Sequence, residues 1–260
     1  MKSSVERRSD ILALLQKTGS HRVEALSQYF GVSTVTIRSD LNVLEQQGYI
    51  TRSHGFAVLN SRLMAELSIA DKRNNYPELK QQIGHLAASL LKEGEKVILD
   101  SGTTTKAIVS AIGDLNLTVL TNGLDVAMAL VSCPNVEVRM TGGVLRKNAM
   151  SFSGVMADNN LQHYRFDKVF LGVDGFDLQK GVTTFNEQEA QLNRLMCDAA
   201  DQVIVVTDSS KFGQYSHFVI CQANQIDVLV TDNKIPLSYR EYLENVGVQV
   251  LIAQFYSLSL

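Results

Sequence analysis

The sequence predicts an α/β protein of two parts. An N-terminal winged helix-turn-helix occupies residues 1–59 and a mainly parallel α/β sheet domain occupies residues 78–255, with residues 60–77 as a linker. Three observations carry this reading. Two short amphipathic helical segments flank a tight Gly31-Val32 turn. Residues 49–59 then alternate in β fashion around His54-Gly55. From Glu78 onward, short β-branched runs alternate with helical ones, which implies a parallel sheet covered on both faces.

Residues 4–18 read as a first helix, with Ile11, Leu12, Leu14 and Leu15 as its apolar side. A second helix spans residues 22–30. The third, residues 33–45, turns Ile37, Leu41 and Leu44 inward and Val35, Arg38, Ser39 and Asn42 outward. Ser33 stands at its N-cap, which leaves the first N–H groups available to a phosphate. Small hydroxyls beside an arginine combine close approach with hydrogen-bond donors, the chemistry that phosphates and base edges accept. The candidate nucleic-acid contacts are therefore Ser33, Thr34, Val35, Thr36, Arg38 and Ser39, with Arg52 and His54 near the wing. Gly48 is placed to stop the helix.

Net charge is −3, which alone speaks against a nucleic-acid binder, but the charge is unevenly distributed. Residues 1–62 hold eight Lys/Arg against five Asp/Glu, a local +3 that leaves −6 on the remainder. Lys2, Arg7, Arg8, Lys17 and Arg22 are cations available to a phosphate backbone. No apolar run approaches the roughly 20 residues of a membrane span, and the N-terminus has no apolar export segment. Cys133, Cys197 and Cys221 lie singly, with neither metal spacing nor a disulfide framework, as expected in a reducing cytoplasm.

Strands are expected at residues 96–100, 118–121, 136–141, 167–173, 202–208, 227–231 and 248–253. Helices are expected at 78–92, 103–112, 124–132, 187–200 and 236–247. Residues 60–77 lose periodicity and gain polar side chains, so they read as a linker carrying some helix.

Ligands of such sheets sit beyond the carboxyl ends of the strands, and the unusual residues of this chain collect there. Asp100-Ser101-Gly102-Thr103-Thr104-Thr105 follows the first strand and opens a helix. Its glycine allows close backbone approach, its hydroxyls donate, and a helix N-terminus favours an anion. A phosphate fits there, or a polyhydroxy sugar held through Asp100. Asn122 and Gly123 end the second strand and Gly142-Gly143 the third; Asp174 follows the fourth, and Lys211 the fifth. Asp174 and Glu187 suit sugar hydroxyls or, in an enzyme, proton transfer; Lys211 suits a phosphate. Neither a P-loop lysine motif nor a GxGxxG fingerprint is present, so no nucleotide or other cofactor is expected.

Taken in order, these motifs carry a family resemblance. Val32-Ser33-Thr34-Val35-Thr36-Ile37-Arg38-Ser39-Asp40-Leu41 with Leu44-Glu45 resembles the recognition-helix signature of the DeoR family of bacterial sugar-metabolism repressors. Asp100-Ser101-Gly102-Thr103-Thr104, Thr121-Asn122, Thr141-Gly142-Gly143, Phe170 to Gly175 and Asp208 to Phe212 resemble its effector-domain motifs. The resemblance covers nearly the whole chain and leans toward repressors of amino-sugar and sugar-alcohol operons. It implies a homodimer or homotetramer that binds operator double-stranded DNA and is released by a phosphorylated sugar. It also implies an effector domain similar in fold to ribose-5-phosphate isomerase, with Asp174, Glu187 and Lys211 around the cavity that Asp100–Thr105 open. The family's wing usually reads His-Gly-Gly-Ala, whereas this chain has His54-Gly55-Phe56-Ala57, a bulkier and stiffer wing. Two other readings stand beside it: a sugar-phosphate isomerase-like enzyme using the same pocket, and a DNA-binding protein whose α/β domain only assembles subunits.

Overall fold

The computed structural model describes residues 4–46, 49–53, 55–59 and 68–254, in two compact units, Met1–Asn75 and Tyr76–Leu260. The first unit runs α1 (Ser4–Thr18), β1 (Ser20–Arg22), α2 (Val23–Phe30), α3 (Thr34–Gln46), β2 (Ile50–Ser53), β3 (Phe56–Leu59) and α4 (Ile69–Asn74). β3 lies between β1 and β2, antiparallel to both. The residues that periodicity turns inward form the core: Ile11, Leu15, Leu26, Ile37, Leu41 and Leu44 are all buried. Gly31 ends α2 in the left-handed region, φ 62°, donating to the carbonyls of Gln28 and Ser27. The Ser27 hydroxyl donates to the Val32 carbonyl at 2.6 Å, fixing the angle at which α3 leaves the turn.

Part of the expected linker belongs to this unit. Ser68 caps α4 by accepting the Asp71 N–H, Ile69 is buried, and α4 packs on α1, where Ser9 donates to Asn75 at 2.8 Å. Gly48, His54 and residues 60–67 lie outside the described residues.

The second unit runs α5 (Pro77–Ala88), β4 (Lys96–Leu99), α6 (Thr103–Val109), β5 (Leu117–Thr121), α7 (Leu124–Leu130), β6 (Val136–Met140), β7 (Val144–Arg146), β8 (Ser151–Ser153), α8 (Val155–Leu161) and β9 (Phe166–Gly172). It continues with β10 (Gly175–Asp177), β11 (Gly181–Thr184), α9 (Glu187–Asp198), β12 (Ala200–Val206), β13 (Phe218–Cys221), β14 (Val228–Asp232), α10 (Leu237–Asn245) and β15 (Gln249–Ala253). The seven expected strands are the seven of one parallel sheet, ordered β15-β14-β12-β9-β4-β5-β6. Alternate side chains feed opposite layers. Val97 and Leu99 meet Ile83, Ile108 and Leu130 of α5, α6 and α7, while Ile98 meets Leu161 and Leu192 of α8 and α9. Gly84 lets α5 and α6 touch, since a Cβ there would stand 2.5 Å from the Ala107 carbonyl carbon.

Three antiparallel additions lie outside the sequence expectation: β1, which makes the expected two-stranded wing three-stranded, the β7–β8 hairpin, and the small sheet β10-β11-β13. Strands of three or four residues hold too few alternations to stand out from loop sequence. The fold also brings together Cys197 of α9 and Cys221 of β13. Their thiol hydrogen bond, with burial, holds the Cys197 pKa above its ordinary value.

One cation read from the sequence as available to DNA is not. Arg7 is buried, its Nε 2.6 Å from Oδ2 of the equally buried Asp40, and Arg8 stands 3.8 Å from the other oxygen. The Arg7–Asp40 pair ties α1 to the inner face of α3. Removing one partner of a buried ion pair strands the other charge, whereas replacing both with apolar groups does not. Urea unfolding of Asp40→Ala is expected to show a loss of about 3 kcal/mol, and of Arg7→Met/Asp40→Leu less than half that. Equal losses in the two variants would show that packing, not charge pairing, sets the effect.

Candidate functional site

In the first unit the exposed face of α3 is a presentable surface. Ser33 accepts the Thr36 N–H at 3.1 Å and lies 2.9 Å from the Thr36 hydroxyl, so the side-chain cap is in place. Val35 is 73% exposed, Arg38, Ser39 and Asn42 are also exposed, and Thr34 and Thr36 are half-buried at the helix start. Among the described residues Arg38 makes no hydrogen bond or ion pair within the protein. Arg52 differs: its guanidinium donates to Asn42 and stands 3.9 Å from Glu45, and its N–H donates to Glu45 at 2.9 Å. Arg52 thus joins the base of the wing to α3. Phe56, where the family's pattern has glycine, carries the Arg22 guanidinium 4.9 Å above its ring.

In the second unit, strand order reverses between β4 and β9, and the carboxyl ends of these two strands open the crevice where α/β sheets hold ligands. Asp100 sits there, 3% exposed, its Oδ2 accepting the Gly172 N–H across the switch at 3.3 Å. Asn122, at the end of β5, accepts the Ser101 N–H at 2.7 Å. Its own amide nitrogen is buried with no hydrogen-bond partner, though near enough to pull on Asp100. Gly123 is needed for the approach, because a Cβ would lie 3.0 Å from the Ser101 Cα.

The wall opposite is built by residues outside the sequence expectation. The β7–β8 hairpin lies along the end of β5, with a bridge between Gly123 and Ser151 and the Phe152 N–H donating to the Asn122 carbonyl at 2.7 Å. It presents Arg146, which pairs with Glu189, and Ser151, which donates to the same carboxylate. Glu189 is buried in the first turn of α9. Glu187, two residues earlier, is exposed, so the acid that α9 turns inward is Glu189. Two residues along a helix rotate the side chain by roughly 200°, a difference that the strand-end reasoning did not resolve. Asn186, accepting the Glu189 N–H, sets that phase.

Other expected residues take different places. Thr103 and Thr104 are half-buried at the start of α6, beside half-buried Ser101 and Gly102. Thr105 is buried and donates back to the Gly102 carbonyl at 3.0 Å, which makes it a staple of the turn. Asp174 is buried and accepts the Thr184 hydroxyl at 2.9 Å. Lys211 ends the short 3-10 turn Ser209–Lys211, which Asp232 positions by accepting the Ser209 N–H at 2.6 Å. Its strand, β12, is two strands from β4, an offset of roughly 10 Å at ordinary strand spacing.

Burial, and second the Glu189 charge, push the Asp100 pKa from 3.8 up to about 7, against the pull of Ser101, Asn122 and Gly172. Folded protein therefore holds this proton up to about pH 7 while the unfolded chain releases it near 3.8. Across that window the folded state binds more protons, so stability falls as pH rises and the full penalty is felt above pH 7. Asp100→Asn keeps an acceptor for Gly172 and cannot ionise. Its melting temperature is expected to match the parent near pH 4 and to exceed it increasingly up to pH 8. A pH-independent difference would show that Asp100 stays ionised in the folded state.

Comparison with known proteins adds the following. A family model described as a DeoR-like helix-turn-helix domain matches residues 7–63, and one described as a DeoR C terminal sensor domain matches residues 75–233. A putative aga operon transcriptional repressor of Escherichia coli O157:H7 is 44% identical over 250 residues, covering 95% of this chain and 93% of that protein. The HTH-type transcriptional repressor GlcR of Bacillus subtilis is 32% identical over 249 residues, covering 96% of each. Ribose 5-phosphate isomerase A from Methanocaldococcus jannaschii is similar over 53% of this chain and 55% of its own, at 16% identity and a TM-score of 0.40.

Proposed function

The chain belongs to the DeoR family of transcriptional repressors of sugar operons, and from that premise we propose that a phosphorylated sugar, bound at the β4–β9 crevice, releases it from operator DNA. It is a regulator and not an enzyme: its full-length relatives are named as transcriptional repressors. The operon proposed is one of amino-sugar or sugar-alcohol use, on the likeness to the aga operon repressor.

The observation that carries the effector reading is the polar chamber at the strand switch. Asp100, Asn122, Ser151 and Glu189 are all buried there, and the Asn122 amide donor, which pulls on Asp100, makes no well-formed hydrogen bond in the protein. A buried donor without a partner is costly unless a ligand or water satisfies it. Sugar hydroxyls suit Asp100 and Asn122, which offer acceptor and donor at neighbouring strand ends. The phosphate is assigned to the start of α6 at Ser101–Thr104, with Asp174 at the neighbouring strand end, Lys211 one strand further on, and no cofactor involved.

Release requires the effector to prefer a conformation that binds DNA poorly, and each tenfold loss of DNA affinity takes about 1.4 kcal/mol of that preference. The elements that line the chamber, the Asp100 loop, the β7–β8 hairpin and the first turn of α9, are those a ligand would reorder. The protein binds as a homodimer or homotetramer, which sets two α3 helices on half-sites about one helical turn, ~34 Å, or a multiple apart.

Thermal unfolding across a panel of sugar phosphates and the matching free sugars tests the effector. One phosphorylated member at a hundredfold excess over its dissociation constant is expected to add about 2.7 kcal/mol of stability and to release bound operator. A shift with free sugars alone would overturn the phosphate assignment. On the DNA side, Arg38→Ala is expected to weaken operator binding and lower the salt slope by about one. An unchanged slope would remove Arg38 from the phosphate contacts.

A further inference from the structure

The β6 edge of the main sheet carries a pattern that no ligand or DNA contact uses. β6 is the last strand, paired with β5 only. The register Leu117↔Val136, Val119↔Val138 and Thr121↔Met140 fixes which groups face outward. The Leu117 N–H donates to the Asn135 carbonyl and the Thr141 N–H to the Thr121 carbonyl, so the odd-numbered residues serve β5. The even-numbered ones direct their backbone groups at the open edge. Among the described residues only the Val136 N–H is engaged there, by the Cys133 carbonyl.

We infer that this edge pairs antiparallel with β6 of a second copy of the chain, the two-fold axis passing through Val138, to join two seven-stranded sheets into one. In that register Val138 exchanges both hydrogen bonds with its mate, and the Met140 N–H of each copy meets the Val136 carbonyl of the other, giving four backbone bonds. Glu137 then stands opposite Arg139 of the second copy, twice, as close non-hydrogen-bonded pairs. Within one chain these two side chains already pair at 2.9 Å and remain 59% and 43% exposed, so they are placed to share partners across the axis. The charges also select the register. A slip that keeps the backbone bonds moves the axis to Glu137 or Arg139 and sets like charges face to face.

Each face of the strand agrees. Val136 and Val138 pack on the α7 side of the sheet; the α7 residue Met128 and its neighbour Val131 are 67% and 82% exposed, and Met140 at the strand end is 36% exposed. Arg139 lies on the opposite face against the Tyr164 ring at 5.8 Å. Pairing of two copies covers the apolar group on one face and closes the charge quartet on the other. It also removes an open strand edge that otherwise invites aggregation.

This assignment rests on the oligomeric reading above, and sedimentation of the full chain separates the two. The parent is expected to sediment as a dimer or tetramer. Arg139→Glu and Glu137→Arg, each alone, set like charges across the axis and are expected to weaken self-association at least ~10-fold, lowering the mass by half at micromolar concentration. An equimolar mixture of the two variants restores opposite charges across the axis although neither chain has its internal pair. It is expected to return to the parent's mass, which loss of the internal pair alone cannot explain. Parent-like mass in both single variants, or no recovery on mixing, overturns the β6 pairing while leaving the oligomer. A monomeric parent overturns both.

Discussion

The reversal of strand order between β4 and β9 is the constraint on which the larger unit depends. To either side the parallel strands run outward in chain order, and their crossover helices sort onto opposite faces. At the reversal the crossovers diverge, and backbone groups at the strand ends must find partners outside the ladder. Asp100 supplies one by accepting the Gly172 N–H. Gly172 has no room for a side chain without crowding, since a Cβ would lie 3.2 Å from the Ser101 carbonyl oxygen. The carboxylate that closes the sheet is therefore the one that opens the ligand chamber, and its burial follows from that position.

The smaller unit solves a different problem. A recognition helix must show a polar face to DNA and still be held firmly from behind. Ile37, Leu41 and Leu44 supply apolar contact on the inner face of α3, and the Arg7–Asp40 pair fixes its rotation with directional bonds. Arg52 and Glu45 do the same on the wing side, where the Arg52 N–H holds the Glu45 carboxylate. An arginine near a DNA-binding face can thus be a strut. Arg38, the one cation on α3, stands clear of protein partners among the described residues.

These distinctions mark where sequence reasoning stops. The three helices and all seven parallel strands were legible because periodicity and apolar run length are local properties. The Asp100 loop and Asn122 were legible because strand ends are where α/β sheets bind. Arg146 and Ser151 were not, since their three-residue strands carry no periodic signal and their partner, Glu189, is 38 residues from Ser151. Glu187 is the acid that the sequence reading names and Glu189 the one that α9 buries, because helix phase relative to a distant sheet is a tertiary property. The Cys197–Cys221 contact and the burial of Arg7 were hidden for the same reason.

The electrostatics of the chamber bear on what enters it. Two carboxylates without cations would repel an anionic ligand in a low-dielectric site. Glu189 is neutralised by Arg146 and further bound by Ser151. Asp100, its pKa pushed up to about 7 by burial, gives up its proton far less readily than an ordinary carboxyl. Ion pairing of Glu189 and the raised pKa of Asp100 both lessen the negative charge that the chamber presents. A phosphate need not meet Asp100 directly: sugar hydroxyls can take the carboxyl while the anion lies toward α6. Bringing an anion near Asp100 raises its pKa further, so proton uptake offsets the repulsion. Under the proposed function, the burial that destabilises the Asp100 carboxylate is what would let one chamber take both the polyol and the charged end of a ligand.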